Sequence, residues 1–503
     1  MRPTQLIAAV TLALSATALP AVSTSAAGDP PTVSGREAAG DRALRHADAV
    51  LDGLGHGQDA TLALRDLAQA LPSLGPAERR QATAMLARPT DPHDQFGDSY
   101  RAPAKRACSP NICMHWVTRT SDAPPSRAWV SRTMDVMKQV WAREVGAMNY
   151  RRPLRDGHRG GDGRLDVYLK DVGAQGLFGY CATERRSQIS KWKASGYCVL
   201  DDDFARSQFH APPTVSLKAT AAHEFFHEVQ FALDFSEDAW WMEATATWME
   251  EQVFDGANDN RRYIPFGQIG VPNTPLDEFQ DVGSAQYGNW PFFEHLSRHF
   301  GREIVRSAWQ GAAAAGDDRG LYSLQAIEAA LPTGTTLPEV FRDYAAANTE
   351  PSAFYPEGDH WDPAPPAQKQ VVTKADPEKG GRFAKIDHLT SRAARVVPGS
   401  GLADPASQLE VTVDGPGSRT SPGASLVIRM ANGDVNRQAI VLNGKGVGTL
   451  TVGFDNVDVE RATLVLANAS TRFDCRNGTP YSCRGIPLDD NEAFSYTFKA
   501  LPG

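Results

Sequence analysis

The sequence predicts an α+β protein: a helical N-terminal region, a central domain of mixed helices and strands, and a C-terminal all-β sandwich. Three observations predict it. Apolar residues recur at helical spacing through residues 28–105; two adjoining central segments, around residues 217–233 and 240–249, are apolar round nearly the whole helix; and after residue 369 short alternating runs separated by Gly, Asp and Asn replace both patterns. The 503 residues, 41% hydrophobic and 22% charged, leave room for two or three domains.

Residues 1–27 read as a secretory signal: Arg2, an apolar run from Leu6 to Leu19, then Ser25-Ala26-Ala27 before Gly28. The run is shorter than the roughly 18 residues a membrane span needs, Pro20 follows it, and no other stretch is long and apolar enough, so a secreted, extracellular chain without a membrane span is expected. The six cysteines fall in local pairs, Cys108 with Cys113, Cys181 with Cys198 and Cys475 with Cys483, and export favours sequential disulfides. None has the C-x-x-C spacing of a thiolate zinc site. Between residues 28 and 105, RALRHADAVLDGL, TLALRDLAQAL and PAERRQATAMLARPTDP predict three helices joined by Gly and Pro turns.

From 106 to 350 the pattern mixes strands and helices. ICMHWVTRT (112–120), RLDVYL (164–169) and GYCVL (196–200) read as strands. A helix carries Val130, Met134, Met137, Trp141 and Val145, and four more are expected around 291–299, 303–311, 321–330 and 337–348. The apolar helix containing Ala221, Phe225, Phe226 and Val229 also carries His223, Glu224 and His227 in the order H-E-x-x-H. Residues four apart share a helix face, so both imidazoles reach one metal ion, and Glu224 stands beside the open coordination position, where a carboxylate takes a proton from bound water. Burying these three groups unpaired costs several kcal/mol, on the order of 2–7 for a neutral polar group alone; a metal satisfies all three, and the plainer reading is histidines hydrogen-bonded to core neighbours. Glu228, directly after the second His, is a candidate for orienting an imidazole.

A third ligand is needed. Gln230 stands where the metzincin pattern requires Gly, which excludes that class. Glu243, on the next apolar helix with Trp240, Trp241, Ala244, Trp248 and Met249, is the choice that a resemblance to gluzincins implies, since their third ligand is a Glu on the next helix; Asp234, Glu237 and Asp238 remain open, and Glu250 with Glu251 reads as a solvated helix end.

His223, Glu224, His227 and Trp241-Met242-Glu243-Ala244-Thr245-Ala246 resemble the zinc site of gluzincin metallopeptidases, whose second motif often reads W-x-x-E-G-x-A. More closely, the chain resembles a family of secreted bacterial zinc metalloproteases found in myxobacteria and actinobacteria, from about Cys108 to Asn348 through RLDVYL, GYCVLDDDFA (196–205) and YGNWPFFEHL (287–296). The resemblance implies a zincin-like catalytic domain and makes residues 28–105 a pro-region, with Arg101 to Arg106 a basic join where processing occurs; a permanently attached helical subdomain is the other reading. It also implies a transition-state role for Tyr287, which stands where gluzincins of the Y-x-K-G pattern carry a tyrosine but lacks the Lys-Gly that follows. A tyrosine capping a packed helix is the alternative there.

A formal charge of -9 and a pI near 5.8 disfavour nucleic acid or an anionic membrane as partner and favour a neutral or basic protein or peptide substrate; a monomer is expected. Asp156, Asp162 and Asp166, and Asp201-Asp202-Asp203, are candidate calcium ligands, though EF-hand spacing is absent and solvated loops are the default. Pro363, Pro365 and Pro366 mark a linker over 351–368. From 369 to 503, QLEVTV (408–413), SLVIRM (425–430), AIVLN (439–443), TLTVGF (449–454), ATLVLAN (462–468) and AFSYTF (493–498) predict an accessory sandwich. The reading is a secreted endopeptidase in which His223, His227 and Glu243 hold Zn²⁺ and Glu224 is the general base. The alternatives are a catalytically inactive zincin scaffold and a glycan- or surface-binding secreted protein; the absence of a G-x-S-x-G elbow argues against a serine hydrolase.

Overall fold

A computed structural model describes residues 33–54, 60–91, 99–188, 190–316, 318–501 and 503. The signal read over residues 1–27 lies outside them. The three helices expected at the N-terminus form as α1 (Val33–Leu51), α2 (Ala60–Ala70) and α3 (Pro76–Met85). They lie on one face of a five-stranded sheet built from β1 (Lys105–Cys108), β2 (Ile112–Trp116), β3 (Leu165–Lys170), β4 (Gly179–Arg186) and β5 (Ala194–Asp201), in the order β1-β2-β3-β5-β4. β2, β3 and β5 run parallel; β1 and the edge strand β4 are antiparallel to their neighbours.

Side-chain alternation explains why this sheet is covered on both faces. On one face Val167, Leu169, Cys198 and Leu200 join the core formed by α4 (Arg127–Trp141) and the central helices. On the other, Tyr168, Tyr180, Tyr197 and Val199 pack against Ala47, Leu64, Leu67 and Met85 of the N-terminal helices. Arg88, just beyond α3, is only 1% exposed and enters a nest of three carboxylates, Asp156 (2.5 Å), Glu184 (2.5 Å) and Asp166. The basic join Arg101–Arg106 is exposed at Arg101, Lys105 and Arg106, and its last two residues are already part of β1.

After the single turn α5 (Arg206–Phe209) come the two helices that carry the site, α6 (Pro213–Asp234) and α7 (Ala239–Phe254). Pro213 opens α6, where its missing N–H costs no helix bond, and residues 219–234 are buried without interruption, as an all-round apolar helix requires. After the single turn α8 (Ala285–Gly288), which the sequence did not predict, the four expected helices follow as α9 (Trp290–Phe300), α10 (Glu303–Ala312), α11 (Ser323–Ala330) and α12 (Leu337–Ala347). The proline-rich stretch is not a free spacer: it begins with α13 (Pro351–Phe354), and Tyr355 and Trp361 pack into the same core, Trp361 edge-on to Trp290 at 5.3 Å.

The C-terminal part comprises β6 (Gln368–Val372), β7 (Glu378–Ile386), β8 (Thr390–Pro398), β9 (Gln408–Asp414), β10 (Pro422–Met430), β11 (Val435–Ala439), β12 (Val447–Gly453), β13 (Val459–Asn468), β14 (Phe473–Asp474), β15 (Ile486–Pro487) and β16 (Glu492–Leu501). Two sheets, β11-β10-β13-β8-β6 and β12-β9-β16-β7, share one core that includes Val411, Leu426, Leu464 and Phe498. One expected strand is displaced: AIVLN (439–443) is not a strand beyond Ala439, because pairing with β10 is made by Val435–Ala439 and the chain then leaves the sheet with Val441 86% exposed. This part docks onto the helices through buried charge. Glu350 meets Arg429 at 3.1 Å and Arg461 at 2.6 Å, and His388 sits between Asp277 at 3.0 Å and Asp490 at 2.6 Å.

All three sequential disulfides are present, Cys108–Cys113, Cys181–Cys198 and Cys475–Cys483. Cys181 and Cys198 are cross-strand partners, so the second bond staples edge strand β4 to β5. Among the described residues, no helix is long and apolar enough to cross a membrane.

Candidate metal centre

His223 and His227, one turn apart on α6, face Glu243 on α7, and one ligand atom from each lies within 4.8 Å of the others. His223 Nε2 is 3.0 Å from Glu243 Oε2. His227 Nε2 and Glu243 Oε1 are 3.6 Å apart, too far for a hydrogen bond, and both atoms are buried without a partner. Buried orphans are costly, and two that lie 3.6 Å apart with His223 Nε2 beside them form a set that one ion can satisfy. The donor set, two imidazole nitrogens and a carboxylate, suits zinc and leaves a position open. Burial pushes the Glu243 carboxyl up, but His227 and His223 outweigh it and hold it at about 2.

Each imidazole is fixed through its other nitrogen. His223 Nδ1 lies 2.9 Å from Glu250 Oε1, and His227 Nδ1 lies 2.7 Å from Gln230 Oε1, whose amide donates to the Met242 carbonyl at 2.9 Å. Such contacts set the tautomer and aim the ring. Two expectations are corrected here. Glu250 is 7% exposed rather than a solvated helix end, because it lies seven residues after Glu243 and shares its helix face. Glu228 does not orient an imidazole; it points the other way, beneath β5, with Oε1 4.0 Å from Cys198 Sγ, and no side chain fits at Gly196 beside it. The sequence signal that locates Glu250 is this seven-residue spacing, and Gln230 sits three residues after its histidine on the same face.

The other acidic residues near the turn are engaged elsewhere. Asp234 binds Arg319 at 3.4 Å, Glu237 accepts from the Ser323 backbone at 3.1 Å, and Asp238 accepts from the Ser323 hydroxyl at 2.6 Å and the Cys483 N–H at 2.8 Å.

Glu224, 6% exposed, receives a 2.8 Å hydrogen bond on Oε2 from the hydroxyl of Thr61 on α2. Burial pushes its carboxyl up, against the pull of His227 and His223. Tyr287, on α8, is 2% exposed with its ring 6.0 Å from that of His223. Its neighbour Tyr263, 5.3 Å away ring to ring, was not singled out in the sequence; its hydroxyl accepts from Arg262 at 2.7 Å. The close approach of two backbones puts them together, since a Cβ at Gly288 would collide with Gly267 and the Tyr263 carbonyl. His223, Glu224, Glu250, Tyr263 and Tyr287 line a cavity of about 40 Å³.

The acidic clusters divide. Asp156 and Asp166 are taken by the Arg88 guanidinium and Asp162 by Arg164 at 2.6 Å, so the first candidate calcium set binds arginines instead. Asp201 and Asp202 do meet Asp171 within 4.8 Å, yet Asp201 already accepts from the backbone of Gly173, Asp203 and Phe204, while Asp203 accepts from Ala205.

No family model matches the chain, and no curated protein does. One similar solved structure is that of PliG from Aeromonas hydrophila, a periplasmic lysozyme inhibitor of g-type lysozyme, at 12% identity over 27% of this chain and 100% of that one, with a TM-score of 0.14. A likeness of that size carries no argument, and the site stands on its own geometry.

Proposed function

We propose that the protein is a secreted zinc metallopeptidase of gluzincin type, with a zincin-like catalytic domain and an accessory β-sandwich. The single observation that carries this reading is the buried, unpartnered pair His227 Nε2 and Glu243 Oε1 beside His223 Nε2. His223, His227 and Glu243 would hold the ion, which when bound supplies a Lewis acid and a water of lowered pKa. Glu224 takes a proton from the attacking water and returns it to the leaving amine. Tyr287, whose ring lies 6.0 Å from that of His223 on the cavity wall, is the candidate donor to the developing oxyanion. The edge strand β4 offers an extended peptide the backbone groups for strand addition, which makes a peptide the fitting substrate.

A second reading has its own observation: the cavity beside Glu224 is too small for a peptide, as in a scaffold that holds zinc without turnover. Metal analysis with a casein digest separates the two. About one zinc per chain, hydrolysis by the wild type and its loss with zinc retained in Glu224→Gln support the peptidase. Hydrolysis that survives Glu224→Gln refutes it, and zinc bound without turnover by any form of the protein, including one freed of contacts over the site, favours the scaffold.

A further inference from the structure

We propose that helix α2 is an intramolecular inhibitor, lying along the substrate-binding edge of the site, with Thr61 taking the two partners that a bound peptide needs. This deepens the zinc-peptidase reading and rests on it. A hydroxyl is both donor and acceptor, so one side chain can satisfy a carboxylate and an N–H together. Thr61 does so: it donates to Glu224 Oε2 at 2.8 Å and accepts from the Cys181 backbone N–H at 2.9 Å. Glu224 is the proposed base, and Cys181 lies in the edge strand β4, whose outward N–H groups are those an added strand would use.

The rest of α2 is fastened across the same ground. Leu62, 1% exposed, enters the core that α6 and α7 build. One turn on, Arg65 Nη1 donates to the Glu237 carbonyl at 2.9 Å, and a further turn on, Gln69 Nε2 donates to the Phe235 carbonyl at 3.3 Å. The helix therefore runs from β4 over the connection between α6 and α7. The cavity of about 40 Å³ beside His223 and Glu224 is walled by Phe178, Gly179, Tyr263 and Tyr287 and not by α2, so α2 closes the site at Glu224 Oε2 and along the β4 edge. Docking of the whole region is secured by Arg88 in its carboxylate nest and by the tyrosine-rich sheet face that α1–α3 cover. Removing the region would strip that face, so the test uses point variants of the intact chain.

The full-length, zinc-loaded protein is compared with Thr61→Val, which keeps the side-chain shape without the hydroxyl, and with Arg65→Glu, which cuts the second anchor. Thr61→Ser, retaining the hydroxyl, is the folding control. A peptide hydroxamate, which binds zinc and extends along the edge strand, is the probe; its affinity and the hydrogen exchange of backbone amides 60–70 are measured. Both disrupting variants should bind the probe at least about tenfold more tightly than wild type, and saturating probe should speed exchange in α2 of the wild type. Where one variant fails to fold, the other and the wild-type exchange decide. Unchanged α2 exchange at saturation overturns the proposal, as do variants that loosen α2 without tightening probe binding, or a probe that binds no form. Tighter probe binding with no hydrolysis by any form would instead refute the peptidase reading and leave the inhibitory contact standing.

Discussion

Glu250 provides the sharpest test of how the metal centre is held. Its Oε1 lies 2.9 Å from His223 Nδ1, on the opposite side of the ring from Glu243. Groups that orient a metal-bound histidine are worth about 10- to 100-fold in metal affinity, or about 1.4–2.7 kcal/mol. Burial places Glu250 high in that range, since a bond to a charged acceptor is roughly twice as strong as a neutral one and there is little water to replace it. Glu250→Gln keeps an acceptor oxygen without the charge and should weaken zinc binding about tenfold. Glu250→Ala loses both and should approach a hundredfold. Competition against a fluorescent chelator at fixed pH measures the affinity. Glu251→Gln is the control: one residue on, its carboxylate accepts from Asn260 at 3.1 Å and touches no imidazole, so affinity should hold. If Glu250→Ala binds zinc within about twofold of wild type, the carboxylate does not position His223, and the argument that the buried geometry is built for a metal fails with it.

Tyr287→Phe should lower kcat at least tenfold with zinc content and melting temperature nearly unchanged, since loss of an oxyanion donor costs on the order of 10²–10³ in rate; a stability loss without a rate loss would make the residue structural. His388 gives a pH prediction. Burial lowers its pKa, but Asp277 and Asp490 outweigh burial and raise it to about 10, so its contribution to stability is complete below the ordinary imidazole value of about 6.5 and disappears as pH climbs through about 10. Asp490 has the opposite sign: it is held below its usual value, with burial opposing and His388 prevailing, so its share is lost as pH falls through that lowered pKa. His388→Gln should therefore melt lower at neutral pH and show a flatter decline between about pH 6.5 and 10; parallel melting curves in the two proteins would refute this ion pair's role.

The sequence by itself determined the features that local pattern encodes. The period of apolar residues placed α2, α6, α7 and α9–α12, and alternation placed β9, β10, β13 and β16, because a helix or strand face is written in nearby residues. H-E-x-x-H put His223 and His227 on one face for the same reason, and short separations paired the cysteines. Choosing Glu243 over Asp234, Glu237 and Asp238 needed the resemblance, and the tertiary structure bears on it by occupying the rivals with Ser323 at the start of α11, Arg319 just before it and Cys483 of the C-terminal part. Only the tertiary structure decided the rest. The edge strand β4 was missed because what defines it is its partner β5, and Tyr263 because its place beside Tyr287 depends on two glycine backbones meeting. Arg88 reads locally as a solvated arginine in a loop, and Thr61 as an ordinary helix-end threonine. Their partners, Asp156, Asp166, Glu184 and Glu224, lie far along the chain, and the contacts exist only because α1–α3 fold back onto the sheet to bury its second face.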